Sequence, residues 1–496
     1  MLGLFSAKSD HPLADAKEAR RLFADLSGKD AALALDDATI LLESLHRDHL
    51  VDLDQRCDII QQMDATMVTA ARRFARDYAA AVPVSRSEEM RQWRLGAEYW
   101  AQLALAYASA LKELPAASGK VRDALKSSLP MLYARALHAH TAVLKWQQFR
   151  YGPIAAEFWQ DAGQAYLAAV TAGVAQKSLS LYPNTPLTTP EREYLKILAF
   201  QASSMDSLLP QEIELAERLL DHLLPQFQFG NQERPDSVYW ADAQKAQPPM
   251  RLAIKPTAAA SLRYFSPGLA LDAAYALKTQ AEQATPSSLN LGNSYPASMV
   301  VNVLDHLATY WSPVPPQRSH VRHRVKSRMA VMPGLAHAYR CLVTNGGNNN
   351  GSAESWVVED VSQGGMRAQA QLARDSRLSV NTLLAMQPEG GSNWLLGVVR
   401  RFARDDETNA NLGIETLTKQ PRALCVDSGG IQTEVILIDP WESSAQVRVV
   451  IPAAAWEDNI AMTFSDQGKA VKLFPDGQVQ SGPDYLIGRY RVRVAE

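Results

Sequence analysis

Between residues 11 and 228, apolar side chains recur three and four positions apart. That spacing puts them on one face of a helix. It predicts helices over 14–26, 36–42, 56–81, 121–148, 158–179 and 190–224. Another spans 91–111, where Trp93, Leu95, Tyr99, Trp100, Leu103 and Tyr107 follow the same rhythm. Residues 229–285 break it with Gly230, Pro235, Pro248, Pro249, Pro256 and Pro267. Short strands are expected there at 238–240 and 250–254, and helices at 269–283 and 297–310. The run Ser312-Pro313-Val314-Pro315-Pro316 then stops any helix and predicts a stiff extended linker. From position 318 the period falls to two, the alternation of half-buried strands. Strands are predicted at 325–331, 356–359, 376–386, 394–402, 411–417 and 423–426. More follow at 432–438, 446–451, 461–465, 469–474 and 485–494.

These shifts divide the 496 residues into a multidomain α+β chain. Residues 1–228 read as an all-α, helical-repeat-like interaction domain. Residues 229–310 read as a mixed α/β connecting region, 311–426 as a β unit, and 427–496 as a C-terminal β extension. In the helical part, small residues (Gly96, Ala97, Gly163, Ala165) sit beside aromatics. This resembles tetratricopeptide-like stacking, although no fixed period repeats.

Composition narrows the functional classes. The chain is 47% hydrophobic and 21% charged, with a net charge of −3. That is a globular balance, with no global attraction for a nucleic-acid polymer. No stretch approaches transmembrane length, and the apolar start Met1–Phe5 is too short for a signal peptide. Cys57, Cys341 and Cys425 stand singly, as in a reducing cytoplasm, and form neither a disulfide framework nor a metal knuckle. His320 and His323 have no nearby thiol or carboxylate, so no metal site is expected. The sequence has no Gly-x-Ser-x-Gly elbow and no Cys/His pair for a nucleophile. Gly346 and Gly351 are spaced as in a phosphate loop, but no Lys-Ser/Thr follows. The expectation is a cytoplasmic protein that is not an enzyme.

Two short motifs carry the candidate chemistry. Arg318-Ser319-His320-Val321-Arg322 reads R-x-x-x-R. Asp360-Val361-Ser362-Gln363-Gly364-Gly365 reads D-x-S-x-x-G and follows a predicted strand. The segment 311–343 also holds Arg324, Lys326, Arg328 and Arg340, with no acidic residue. A planar guanidinium forks onto phosphate and stacks on a base. A carboxylate accepts hydrogen bonds from a guanine edge, and glycine lets backbone approach a ligand closely.

In that order and setting the pair resembles the PilZ domain, a bacterial receptor module for cyclic di-GMP. The strand 394–400, ending in Arg400, and Leu412-Gly413-Ile414-Glu415 extend the resemblance, which covers about 312–426. It implies a PilZ-like antiparallel β-barrel, followed here by extra β-strands. It implies a ligand site built from Arg318, Arg322, Asp360, Ser362, Gly364, Gly365 and Arg400, with Asn411 and Gly413 at the rim. Gln317 stands there in place of a further arginine. The implied function is a cyclic di-GMP receptor that needs no cofactor and relays the signal to a protein partner through the helical region. Outputs in that family are motility, type IV pili and biofilm formation. The alternative is a degenerate PilZ-like scaffold that does not bind nucleotide.

Overall fold

The computed structural model describes residues 9–48, 50–81, 85–284, 287–292, 294–317, 320–344, 353–373, 378–466 and 468–494. Two compact units result, one within residues 9–205 and 209–316 and the other from Gln317 onward together with Asp206–Leu208.

The first unit is helical. Its helices are α1 (Ala16–Gly28), α2 (Ala31–Arg47), α3 (Leu53–Ala80), α4 (Arg86–Glu113), α5 (Gly119–Leu125), α6 (Leu129–Gln148) and α7 (Ala156–Thr171). After the two-stranded pair β1 (Leu179–Ser180) and β2 (Leu187–Thr188) come α8 (Pro190–Ala202) and α9 (Pro210–Leu223). Side-chain caps fix several starts. Asp15 accepts from the backbone N–H groups of Lys17 and Glu18, Ser85 from that of Glu88, and Thr189 from that of Arg192, ahead of Pro190 at the first helical position. Long predicted runs break at identifiable points. The run 121–148 divides before Pro130, and α7 ends ahead of Gly173, whose φ is 69°. The run 190–224 divides at Ser204, with φ of 55°, and restarts at Pro210.

Small residues decide how closely these helices pack. A Cβ on Gly96 of α4 would lie 2.1 Å from the Trp146 ring of α6, so the glycine makes room for that buried indole. The unit closes with a four-stranded sheet of order β3-β6-β4-β5, from β3 (Gln228–Gly230), β4 (Tyr239–Asp242), β5 (Met250–Arg251) and β6 (Leu262–Ser266). Helices α10 (Ala270–Ala281) and α11 (Ala297–Trp311) follow. Among the described residues, no helix is long and apolar enough to cross a membrane.

The second unit is built from two closed six-stranded barrels. The first contains β7 (His323–Pro333), β8 (Glu354–Ser362), β9 (Gly365–Gln371), β10 (Leu383–Pro388), β11 (Leu395–Arg404) and β12 (Asn409–Thr418). They close in the order β7-β8-β9-β12-β11-β10. The extra strands form the second barrel: β13 (Arg422–Ser428), β14 (Ile431–Leu437), β15 (Gln446–Pro452), β16 (Met462–Asp466), β17 (Lys469–Ser481) and β18 (Tyr485–Val494). Their order is β13-β14-β15-β18-β17-β16, so both barrels run first-second-third-sixth-fifth-fourth around the wall.

Three elements of the first barrel depart from the strand pattern expected of it. Helix α12 (Leu335–Thr344) leaves β7 at Gly334, whose φ is 89°, and buries Leu335, Ala338 and Cys341. Strand β9 carries small or flexible inward residues (Met366, Ala368, Ala370) that give a weak strand signal. The expected strand 376–386 is shorter. Asn381, with φ of 63°, turns the chain just before β10, and 374–377 lie outside the described residues. Helix α12 also joins the barrels. Leu335, Ala338 and Cys341 share one buried cluster with Leu383 and Leu396 of the first barrel and Ile436, Val450 and Ile487 of the second. The Asp484 carboxylate, from the second barrel, accepts the backbone N–H of Leu335 at 2.7 Å and so satisfies an open donor at the helix start.

Candidate functional site

Strands β8 and β9 meet in a tight hairpin in which Ser362 pairs with Gly365, leaving Gln363 and Gly364 as the turn. The Ser362 hydroxyl donates to the Gly365 carbonyl at 3.0 Å and braces that turn. Neither Gly364 nor Gly365 has left-handed backbone, so the turn's φ angles do not require them. Space does. A Cβ on Gly365 would lie 2.1 Å from the Ile414 carbonyl oxygen of β12. One on Gly364 would lie 3.2 Å from the His320 ring. His320, at the centre of R-x-x-x-R, therefore lies against the D-x-S-x-x-G turn.

The two motifs also meet through charge. Arg322 Nη1 donates to Asp360 Oδ1 at 2.6 Å, with the side chains 30% and 20% exposed. One guanidinium donor of five is engaged by this bond, and the second carboxylate oxygen accepts nothing among the described residues. Both groups keep hydrogen-bonding capacity for an arriving molecule.

Strand register adds residues that the motif leaves out. Arg324 of β7 pairs with Asp360 of β8, Asp360 with Arg367 of β9, Arg367 with Gly413 of β12, and Gly413 with Arg401 of β11. This row lies across the outer wall of the barrel, and its arginines are exposed. A Cβ on Gly413 would lie 3.2 Å from the Arg401 Cβ; its absence leaves a gap between Arg367 and Arg401. Arg367 pairs with Glu359 at 3.0 Å. Arg324 has no carboxylate partner among the described residues.

Arg400 faces elsewhere. It sits in a register shift between Val399 and Arg401, a bulge that re-aims a side chain. Its guanidinium donates to Glu415 at 2.6 Å, Asn381 at 3.1 Å and Gln480 of the second barrel at 2.6 Å. Those donors are committed to the junction of the barrels and not to the Asp360 turn. Gln317 is exposed, and Arg318 lies outside the described residues. The structure thus brings Arg322, His320, Asp360, Ser362, Gly364 and Gly365 together, while Gly413 lies two strands from Asp360 across the wall. Arg367 and Arg401 are the additions, legible only once the strand pairing is known.

Fixed cations beside a half-engaged carboxylate suit an anion that also carries hydrogen-bond donors. Among the described residues, no group of three or more His, Cys, Asp or Glu side chains is arranged to hold a metal ion. No curated protein matches the chain. The helical region, residues 17–235, matches the family described as "Cyclic-di-GMP receptor FimW, N-terminal domain".

Proposed function

We propose that the chain is a cyclic di-GMP receptor whose first barrel, PilZ-like, holds the dinucleotide and whose helical unit engages a protein partner. The observation that carries this reading is the meeting of R-x-x-x-R and D-x-S-x-x-G through Arg322 and Asp360. The match of residues 17–235 to the N-terminal domain of a cyclic di-GMP receptor supports it independently, because it lies outside the barrel. In this reading Arg318 and Arg322 take the phosphates, Asp360 accepts from a guanine edge, and Ser362, Gly364 and Gly365 keep the turn narrow. Gln317 and Gly413 border the ligand. The output is motility, type IV pili or biofilm formation.

Calorimetric titration of the full chain with cyclic di-GMP tests the reading. A charge-assisted hydrogen bond contributes about 1.5–3 kcal/mol, so Arg322→Ala weakens binding roughly ten-fold or more. Asp360→Ala weakens it too and lowers the preference for guanine over adenine in the corresponding cyclic dinucleotide. Unchanged affinity in both variants removes the assigned site. No binding by the wild type leaves the barrel as an interaction module. Relay to a partner is tested by paired spin labels on either side of 312–317. An unchanged distance distribution at saturating ligand favours passive tethering.

A further inference from the structure

The helical unit holds an open pocket of about 340 Å³, lined from α3, α4, α6, α8, α9 and the β1–β2 segment. That is within the range of small-ligand pockets. Its charged lining is unusual for a helix junction. Lys145 Nζ lies 2.8 Å from Glu214 and 2.5 Å from Glu217, and Lys196 Nζ lies 2.9 Å from Glu217 and 2.7 Å from Asp221. The two lysine side chains are only 8% and 2% exposed. Burial works against all these charges, but Asp221 and Glu217 raise the pKa of Lys196, and Lys145 and Lys196 hold Glu217 well below the usual carboxylate range.

Donors are in surplus here. An ammonium has three N–H groups. Lys145 and Lys196 each use two on carboxylates, and neither has a third acceptor among the described residues. The acceptors are largely engaged: both Glu217 oxygens bind lysine, and Glu193 takes Thr188 at 2.6 Å and His138 at 3.3 Å. Three more cations line the cavity: Arg218, 3.6 Å from Glu214, and Arg72 and Arg192. Arg192 donates to the Leu187 carbonyl at 3.0 Å, and Arg72 lies over the Tyr182 ring. Neither has a carboxylate partner among the described residues. The apolar part of the wall includes Trp100, Leu181 and Leu289.

We propose that this cavity binds a small organic oxyanion, a carboxylate or phosphate monoester carrying a compact apolar or aromatic body. The anionic end takes the open ammonium donors of Lys145 and Lys196, Arg72 and Arg192 close over it, and the body lies against Trp100 and the leucines. The inference does not depend on the barrel site. It gives the helical unit a chemical input of its own.

Saturation-transfer NMR on the full chain tests it, with phenyl phosphate and benzoate as probes and inorganic phosphate as competitor. Removing Lys196 strands the buried Glu217 carboxylate, so the informative variant is the double change Arg72→Gln and Arg192→Gln at the mouth. We expect transfer to the aromatic protons of at least one probe, and roughly ten-fold weaker binding in the double variant from the lost charge-assisted contacts. Its thermal melt should be unchanged. Transfer from phenyl phosphate alone identifies a phosphate site, and transfer from both a general oxyanion site. No transfer from either probe, or equal affinity in the double variant, overturns the proposal.

Discussion

The two barrels of the second unit share one strand order and differ in what that order brings together. In each, an arginine at or before the first strand meets an acid from elsewhere in the same barrel. In the first barrel this is Arg322 on one oxygen of Asp360. In the second it is Arg422, whose guanidinium reaches Glu442 and Asp466, both at 2.6 Å. Asp439, in the same turn as Glu442, is held from two sides by Arg448, at 2.9 and 2.8 Å. Asp466 also accepts the Trp441 indole N–H at 2.9 Å. The second barrel ties Arg422 to two carboxylates, whereas the first holds Arg322 on one and flanks it with Arg324 and Arg367. Topology supplies the juxtaposition, and the leftover hydrogen-bonding capacity separates a candidate receptor from a structural copy.

The largest expected effect separates the barrels by their glycines. Gly365→Ala drives a methyl into the Ile414 carbonyl, where a Cβ has only 2.1 Å. We expect a loss of about 3 kcal/mol, the upper range for overpacking, read as a lower denaturation midpoint together with weakened ligand binding. A variant as stable as wild type would refute the packing role. Next comes the pair of rim arginines. Arg322→Ala should weaken cyclic di-GMP binding roughly ten-fold, whereas Arg422→Ala should leave it unchanged in the same calorimeter. A loss in Arg422→Ala would erase the contrast.

A smaller change comes from Gly430, in the β13–β14 turn. Its φ is 92° and nothing crowds it. Gly430→Ala should cost about 1 kcal/mol from left-handed strain alone, with ligand affinity intact. Smallest in energy is a labelling difference. Cys425 of the second barrel is exposed, while Cys57 of the helical unit is buried with its thiol pushed up to about 12. Iodoacetamide at neutral pH should alkylate Cys425 first, since the thiolate is the nucleophile. Mass spectrometry showing Cys57 modified at a comparable rate would contradict that burial.

Much of this was legible from residue order. The helical period, the change to alternation after the proline-rich linker and the two motifs all lie within short windows. What stayed hidden depends on register. The row Arg324–Asp360–Arg367–Gly413–Arg401 exists because ladder shifts beside Glu359 and Arg400 decide which residues face out, and a one-residue slip inverts every face. Arg400, expected among the ligand contacts as the basic end of its strand, is turned by its bulge toward Gln480. Helix α12 was hidden in a segment already dominated by strand alternation. The buried Lys145–Glu217–Lys196 chain gave no signal either. Lysine and glutamate are ordinary helix residues, and only tertiary packing tells a solvated face from an enclosed one.

The shared cluster around α12 bears on how these barrels can be inherited. A gene fragment ending after the first barrel would lay bare Leu335, Ala338 and Cys341 and strip Asp484 from the helix start. A fragment encoding only the second would expose Ile436, Val450 and Ile487. Recombination that splits the pair is therefore penalised at folding, before any question of ligand arises. The second barrel persists as an obligate companion so long as it keeps its face toward that helix.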